Sequence, residues 1–152
     1  MNSMLGKDLR ILSHFSAHDT SDLDLVRTDR LARTSRGVAE LTDIAVFDDR
    51  ENLAQALTLR LLTPRGALKD LGHANYGSRL HELIGRPKND TNRNLCRLFV
   101  LEAVAQEPRV EDKAVAFVFD RDRETAASFY FDLAVKPKDG GDDLTLGLEV
   151  GL

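Results

Sequence analysis

Apolar positions along this chain recur with a helical period through its middle and with a strand period towards its end. After Asp49, the residues Leu53, Ala56, Leu57, Leu61 and Leu62 fall on one stripe. That spacing predicts a helix from an Asp49 cap to about Leu62. Thr63-Pro64-Arg65-Gly66 stops it, because proline disfavours helix at the residue before it and glycine releases the turn. Ser78 to Ile84 reads as a second, shorter helix, with Leu80, Leu83 and Ile84 inward and Gly85 and Pro87 beyond its end. A third helix is predicted from Asp90 or Thr91 through Ala105, with Leu95, Leu98, Phe99, Glu102 and Ala105 at the 3.6-residue period. It ends at Glu107-Pro108.

Beyond Pro108 the period falls to two. Val110 to Phe119 is an apolar run that reads as a strand buried on both faces. Phe129, Phe131, Leu133 and Val135 alternate with Tyr130, Asp132, Ala134 and Lys136, the mark of a strand with one wet face. Leu144, Leu146, Leu148, Val150 and Leu152 alternate with Thr145, Gly147, Glu149 and Gly151. Charged or Gly/Asp-rich turns separate the three runs. The predicted fold class is α+β, with two to three helices packed on a C-terminal antiparallel β-meander.

Residues 1–45 are less regular and read as an N-terminal extension preceding a domain of residues 46–152. Ile11 to Phe15 and Leu23 to Val26 suit short strands. Arg27, Arg30, Arg33 and Arg36 recur every three residues, either along one side of a helix or on an extended arm. Such a segment is either a solvated, ion-paired stretch or a docking arm for an acidic partner.

At 152 residues the chain suits one main domain with a substantial core. The net charge of −4 argues against a general nucleic-acid binder. The start MNSMLGKDLRIL lacks the apolar region of a secretory signal, and no apolar run is long enough to span a bilayer. Cys96 stands alone, so neither a disulfide framework nor a thiolate metal cluster is indicated. A reducing cytoplasm is the expected site of synthesis.

Catalytic chemistry is sparse. The chain contains no phosphate-cradling glycine loop, no HExxH and no GxSxG. His14 and His18 are four apart but lack further ligands for a metal. His73 and His81 read as surface or helix-packing residues. Glu102 and Glu107 suggest the two carboxylates of a glycosidase. Five apart on one helix, however, they point in different directions. No catalytic residue, cofactor or metal is therefore expected.

One resemblance is specific. Leu59-Arg-Leu-Leu-Thr-Pro-Arg-Gly-Ala-Leu, then Leu71-Gly-His-Ala-Asn-Tyr-Gly-Ser-Arg-Leu, then Ala105-Gln-Glu-Pro-Arg-Val110 resemble the gene-product-twenty-five-like baseplate wedge proteins of contractile phage tails. Relatives of that family occur in type VI secretion and in extracellular phage-tail-like contractile injection systems. The likeness spans roughly Asn52 to Phe119, and the C-terminal strands fit it in pattern. It implies a structural virion component in a six-fold baseplate. Its expected partners are larger baseplate wedge proteins, the sheath protein and tube- or spike-proximal proteins, without nucleic acid or membrane. Sheath initiation is the implied role.

Carried onto this chain, the resemblance makes Glu107, Pro108 and Arg109 the wedge-docking residues. Pro108 fixes a sharp junction from which its neighbours project, although Glu107 and Arg109 could equally pair within the fold. Leu144, Leu146, Leu148 and Val150 mark a strand that, at a sheet edge, would offer its backbone to a sheath strand. Two other readings stand beside this one: a tail-associated peptidoglycan hydrolase, lysozyme-like, and a small regulatory adaptor.

Overall fold

The computed structural model describes residues 7–9, 27–34, 37–44, 46–111 and 116–152. Two antiparallel strand pairs come first, of which the second is a hairpin. Strand β1 (Lys7–Leu9) pairs with β4 (Val46–Asp48), and β2 (Arg27–Thr34) pairs with β3 (Gly37–Ile44). Arg27, Arg30 and Arg33 therefore lie on a strand and not on a helix. Arg36, His14, His18 and the suggested strands Ile11 to Phe15 and Leu23 to Val26 lie outside the described residues.

Helix α1 (Asp49–Leu62) follows β4 without a linker. Asp49 turns the corner with φ 51, in the left-handed region that Asp tolerates better than bulkier residues. Asp49 and Glu51 place negative charge in the first turn, where the helix dipole favours it. Leu53, Leu57 and Leu61 are buried as the periodicity predicts, whereas Leu62 is exposed. Buried Gln55 donates Nε2–H to the Leu9 carbonyl at 2.8 Å, tying β1 to the helix.

The segment after α1 forms short 3₁₀ turns, Lys69–Leu71 and Leu80–Leu83. The second replaces the expected helix at Ser78 to Ile84. Leu80 and Leu83 are buried there, but Ile84 is 70% exposed because the backbone has already become extended at that residue. Helix α2 (Asp90–Ala105) begins where predicted, capped by the Asn89 side chain, which accepts the Asn92 N–H at 2.8 Å. Its buried stripe is Cys96, Phe99, Val100, Ala103 and Val104. The predicted stripe is thus rotated by about one residue: Leu98 and Ala105 are exposed, and Leu95 is half-buried.

The meander is β5 (Ala116–Phe119), β6 (Ser128–Val135) and β7 (Leu144–Gly151), ordered β5-β6-β7 and antiparallel throughout. The α+β fold of two helices and a three-stranded antiparallel sheet is as expected. Phe129, Phe131, Leu133 and Val135 of the central strand are fully buried. Burying each such side chain stabilises by about 1.5–3 kcal/mol. One expectation for the sheet fails, and the wet face of β6 holds at Asp132, Ala134 and Lys136 but not at Tyr130. Strand β5 is short and lies at an edge, and Val118 is 63% exposed, so the run is not buried on both faces. Tyr130, on the supposedly wet face of β6, is buried with the Arg123 guanidinium 4.0 Å from its ring centroid.

An ion-paired cluster ties α2 to the segment between β5 and β6. Arg93 of α2 engages Glu124, with Nη2 donating to Oε2 at 2.9 Å, and Lys88 Nζ lies 2.9 Å from the same carboxylate. The Arg93 guanidinium also stacks over Phe119 and Phe129, at 4.8 and 4.6 Å. Among the described residues, no helix is long and apolar enough to cross a membrane.

Candidate functional site

Two places follow from the sequence reading: the helix-to-strand junction at Glu107 and the strand β7. At the junction, α2 ends at Ala105 and Pro108 lies exposed at the turn. Glu107 is buried, and its Oε1 accepts the Arg109 Nε–H at 2.6 Å. Its Oε2 faces Arg60 Nη2 at 3.5 Å. Burial pushes the Glu107 carboxyl pKa up, but the Arg109 hydrogen bond and the charges of Arg109 and Arg60 outweigh it. The carboxyl is held below its ordinary range and is ionised at neutral pH. Glu107 therefore works inside the fold, and the groups at the surface of the junction are Pro108 and the quarter-exposed Arg109.

The sequence reading missed two residues here. Arg60 sits in the last turn of α1, and its guanidinium lies 4.5 Å over the Tyr76 ring. Both lie in stretches that carry the family resemblance, where neither is given a docking role. The available signal was Arg60 standing directly beside the buried stripe residue Leu61.

Tyr76 is positioned by the turn that follows it. Gly77 has φ 105, and a Cβ there would lie 2.4 Å from the Thr63 carbonyl oxygen. That closeness allows a short parallel bridge: Ser78 N–H donates to Thr63 O, and Arg65 N–H to Ser78 O, both at 2.8 Å. Ser78 Oγ donates to Leu61 O at 2.6 Å and accepts the Leu80 N–H at 3.3 Å. The loop is thereby fastened to the end of α1.

Strand β7 is, with β5, one of the two outer strands of its sheet among the described strands. The Leu152 N–H bonds the Ala127 carbonyl, which fixes the phase of the ladder. Counting back by twos, Leu144, Leu146, Leu148 and Val150 exchange backbone bonds with β6. The same register sends the backbone N–H and C=O groups of Thr145, Gly147 and Gly151 away from β6. The side chains of Leu146, Leu148 and Val150 are buried in the domain's own core, with Leu144 half-buried.

A groove of about 320 Å³ borders this strand, lined by Leu62, Pro64, Leu80, His81, Ile84 and residues 148–151 among others. Its wall includes the exposed Ile84 and Leu62. At the other end of the strand, Arg50 of α1 donates to the carbonyls of Asp142 and Asp143, the latter at 2.8 Å. The turn entering β7 is thus pinned to the helix.

The two carboxylates weighed as a glycosidase pair each face arginines. Glu102 lies 2.7 Å from Arg65, while Glu107 is enclosed by Arg60 and Arg109. His73 and His81 are exposed, and the described residues contain no cluster suited to a metal ion.

The molecule is, then, a small α+β domain with an ion-pair-locked helix-to-strand junction and a three-stranded meander. That fold is shared with the crystal structure of a candidate tail lysozyme from Geobacter sulfurreducens, with a TM-score of 0.56 and 20% identity over 67% of this chain and 89% of that one. No protein-family model and no curated protein matches the chain.

Proposed function

We propose that this protein is a non-catalytic baseplate component of a phage-tail-like contractile injection machine. On this reading it docks on larger wedge proteins through the Pro108–Arg109 junction and initiates sheath assembly through β7. The observation that carries the reading is the position of β7, an outer strand whose inner face is buried in the core and whose outward backbone groups border an apolar groove. An extended segment adding to such an edge gains main-chain hydrogen bonds together with a place for side chains. The fold shared with a protein described as a tail lysozyme supports a phage-tail setting, without choosing between these roles.

The junction suits docking because Glu107 holds Arg109 in place. A guanidinium fixed in this way loses less freedom when it meets a partner carboxylate. A hydrolase reading is less favoured. A glycosidase's general acid needs a carboxyl that keeps its proton near neutral pH, whereas Glu107 is shifted the opposite way.

Tagged protein purified from its native operon, wild type beside Arg109→Ala, tests the proposal. Sheath, tube and wedge proteins should co-sediment with the wild type in one large particle, and recovery should fall with Arg109→Ala. Wild-type protein emerging alone or with one small partner would overturn the baseplate reading in favour of an adaptor. Clearing of peptidoglycan in a zymogram would restore the hydrolase.

A further inference from the structure

The groove of about 320 Å³ beside β7 has two walls of different origin. One is the strand itself, from Leu148 to Gly151. The other is built by the end of α1 and the turn Leu80–Leu83, through Leu62, Pro64, His81 and Ile84. Ser78 holds that second wall in place, its Oγ donating to the Leu61 carbonyl and its backbone bridged to Thr63 and Arg65. Ile84 stands at the rim because the backbone becomes extended there, directly after the 3₁₀ turn. Its side chain is left 70% exposed, and that of Leu62 38%.

Backbone hydrogen bonds alone do not set the register of a strand added to β7. They repeat every two residues, so a slide of two positions restores both the bonds and the faces. On the face opposite the core little tells such positions apart. Gly147 and Gly151 carry no side chain there, and Glu149 accepts the Ser128 hydroxyl at 2.6 Å. On the core face Leu146 and Leu148 are sealed in the interior. The groove breaks the equivalence, because it borders only the Leu148–Gly151 end of the strand. The recess at the other end, of about 240 Å³, is walled in part by the charged Arg50 and Glu51 and does not repeat it.

We propose that the groove is a socket for one large aliphatic side chain, carried by the extended segment that adds to β7, and that this side chain fixes the segment's register. Its occupant presents an extended backbone to Thr145, Gly147 and Gly151 and an apolar side chain towards Ile84 and Leu62, a combination that a helix does not offer. A wall already held in place loses little freedom on binding, and covering its exposed apolar surface favours the complex. That the segment belongs to a sheath subunit rests on the baseplate reading. The socket itself follows from the edge and the groove lying side by side.

The test is an isotope-edited NMR titration of the full chain with two capped nonapeptides of alternating threonine and glutamine, one carrying a central leucine and the other a central alanine. The leucine peptide should shift the amides of Thr145, Gly147, Gly151 and Ile84 saturably. The alanine peptide should bind about tenfold more weakly, because most of the apolar area it would cover is lost. Ile84→Asp changes an exposed side chain, so it should melt with the wild type and bind the leucine peptide about tenfold more weakly. Leu62→Asp should show the same loss and serves should Ile84→Asp fail to fold. Thr145→Pro should weaken both peptides alike, since it removes a backbone donor and leaves the groove intact. Equal affinity of the two peptides, no localised shift at millimolar peptide, or unaltered binding by both groove variants would overturn the socket. Shifts confined to the groove and indifferent to Thr145→Pro would overturn the extended occupant. A wild-type dimer in equilibrium sedimentation that Ile84→Asp dissociates would give the groove to a second copy and overturn the assigned partner. Leucine-peptide binding by a protein that enters no particle would sink the baseplate reading and leave the socket standing.

Discussion

The Glu107 carboxylate and the Arg109 guanidinium, two residues apart across Pro108, are joined at 2.6 Å, and Glu107 is the buried member. Removing the buried partner takes a carboxylate from both Arg109 and Arg60, whereas removing the exposed one leaves Glu107 still facing Arg60. Glu107→Ala should therefore lower the unfolding free energy by about 3 kcal/mol, and Arg109→Ala by no more than about 1 kcal/mol. Urea denaturation of both variants checks this. Equal losses would show that burial of Glu107 does not govern the junction.

Glu124 makes stability depend on acid. The hydrogen bond from Arg93 leads in lowering its carboxyl from 4.5 to about 2, with Lys88 assisting against the desolvation of a side chain only 3% exposed. Its folded-state value lies below the unfolded one, so protonation favours the unfolded chain. Its contribution is complete above pH ~4.5 and disappears as pH falls towards 2, amounting to about 3 kcal/mol. Denaturation midpoints between pH 7 and 2 should fall steeply for wild type and less steeply for Glu124→Gln. Parallel curves would remove Glu124 from the account. Glu107 adds to the slope in the same direction, leaving a residual in the variant.

Gly77→Ala should destabilise by about 2–4 kcal/mol, since the new Cβ meets the Thr63 carbonyl oxygen and an L side chain is strained at φ 105. A thermal melt reads the effect. Gly85 is a useful control, because it has a similar φ of 82 but open space around its Cβ position. Gly85→Ala should cost clearly less.

Thr145→Pro addresses the edge of β7 without cutting into the core. Removing the strand altogether would strip Leu146, Leu148 and Val150 from the interior and confuse assembly with unfolding. Proline at an outward-facing edge position removes a donor that the sheet itself does not use. Stability should stay within about 1 kcal/mol of wild type, the protein should still enter baseplates, and sheath should fail to extend. Normal sheath would sink the strand-addition proposal.

Cys96 offers an optical check on folding. Burial is the main cause that pushes its thiol up to about 12, so the native protein holds almost no thiolate at pH 8. Labelling by a disulfide reagent should be slow in buffer and rapid in denaturant. Rapid labelling of the native state would mean that α2 opens locally.

Regular periodicity decided what was legible in the amino-acid order. Helices α1 and α2, and strands β6 and β7, repeat their apolar residues over at least eight positions, and their bounds were found nearly as observed. The stripe of α2 was misplaced because Leu98 looks like core, while the residues that are buried include the small Ala103 and Cys96. The two N-terminal strand pairs lack such regular alternation and gave no such signal. The helix expected at Ser78 to Ile84 was too short for its period to tell an α-helix from a 3₁₀ turn. At the junction, Glu107 and Arg109 were visible as neighbours. Their third partner, Arg60, is 47 positions from Glu107, and Glu124 is 31 from Arg93. Ion pairs between distant segments leave no periodic trace.

Arg50 reaches the carbonyl of Asp142 across 92 positions, so α1 and β7 meet only by closing most of the described chain. Contacts that distant form slowly, after the nearer pairing of β5 with β6. The outward rim of β7 exists only once its leucines have sealed the interior beneath it. A half-folded molecule thus presents no template on which to polymerise, and on the proposed reading sheath growth is reserved for subunits that have finished folding.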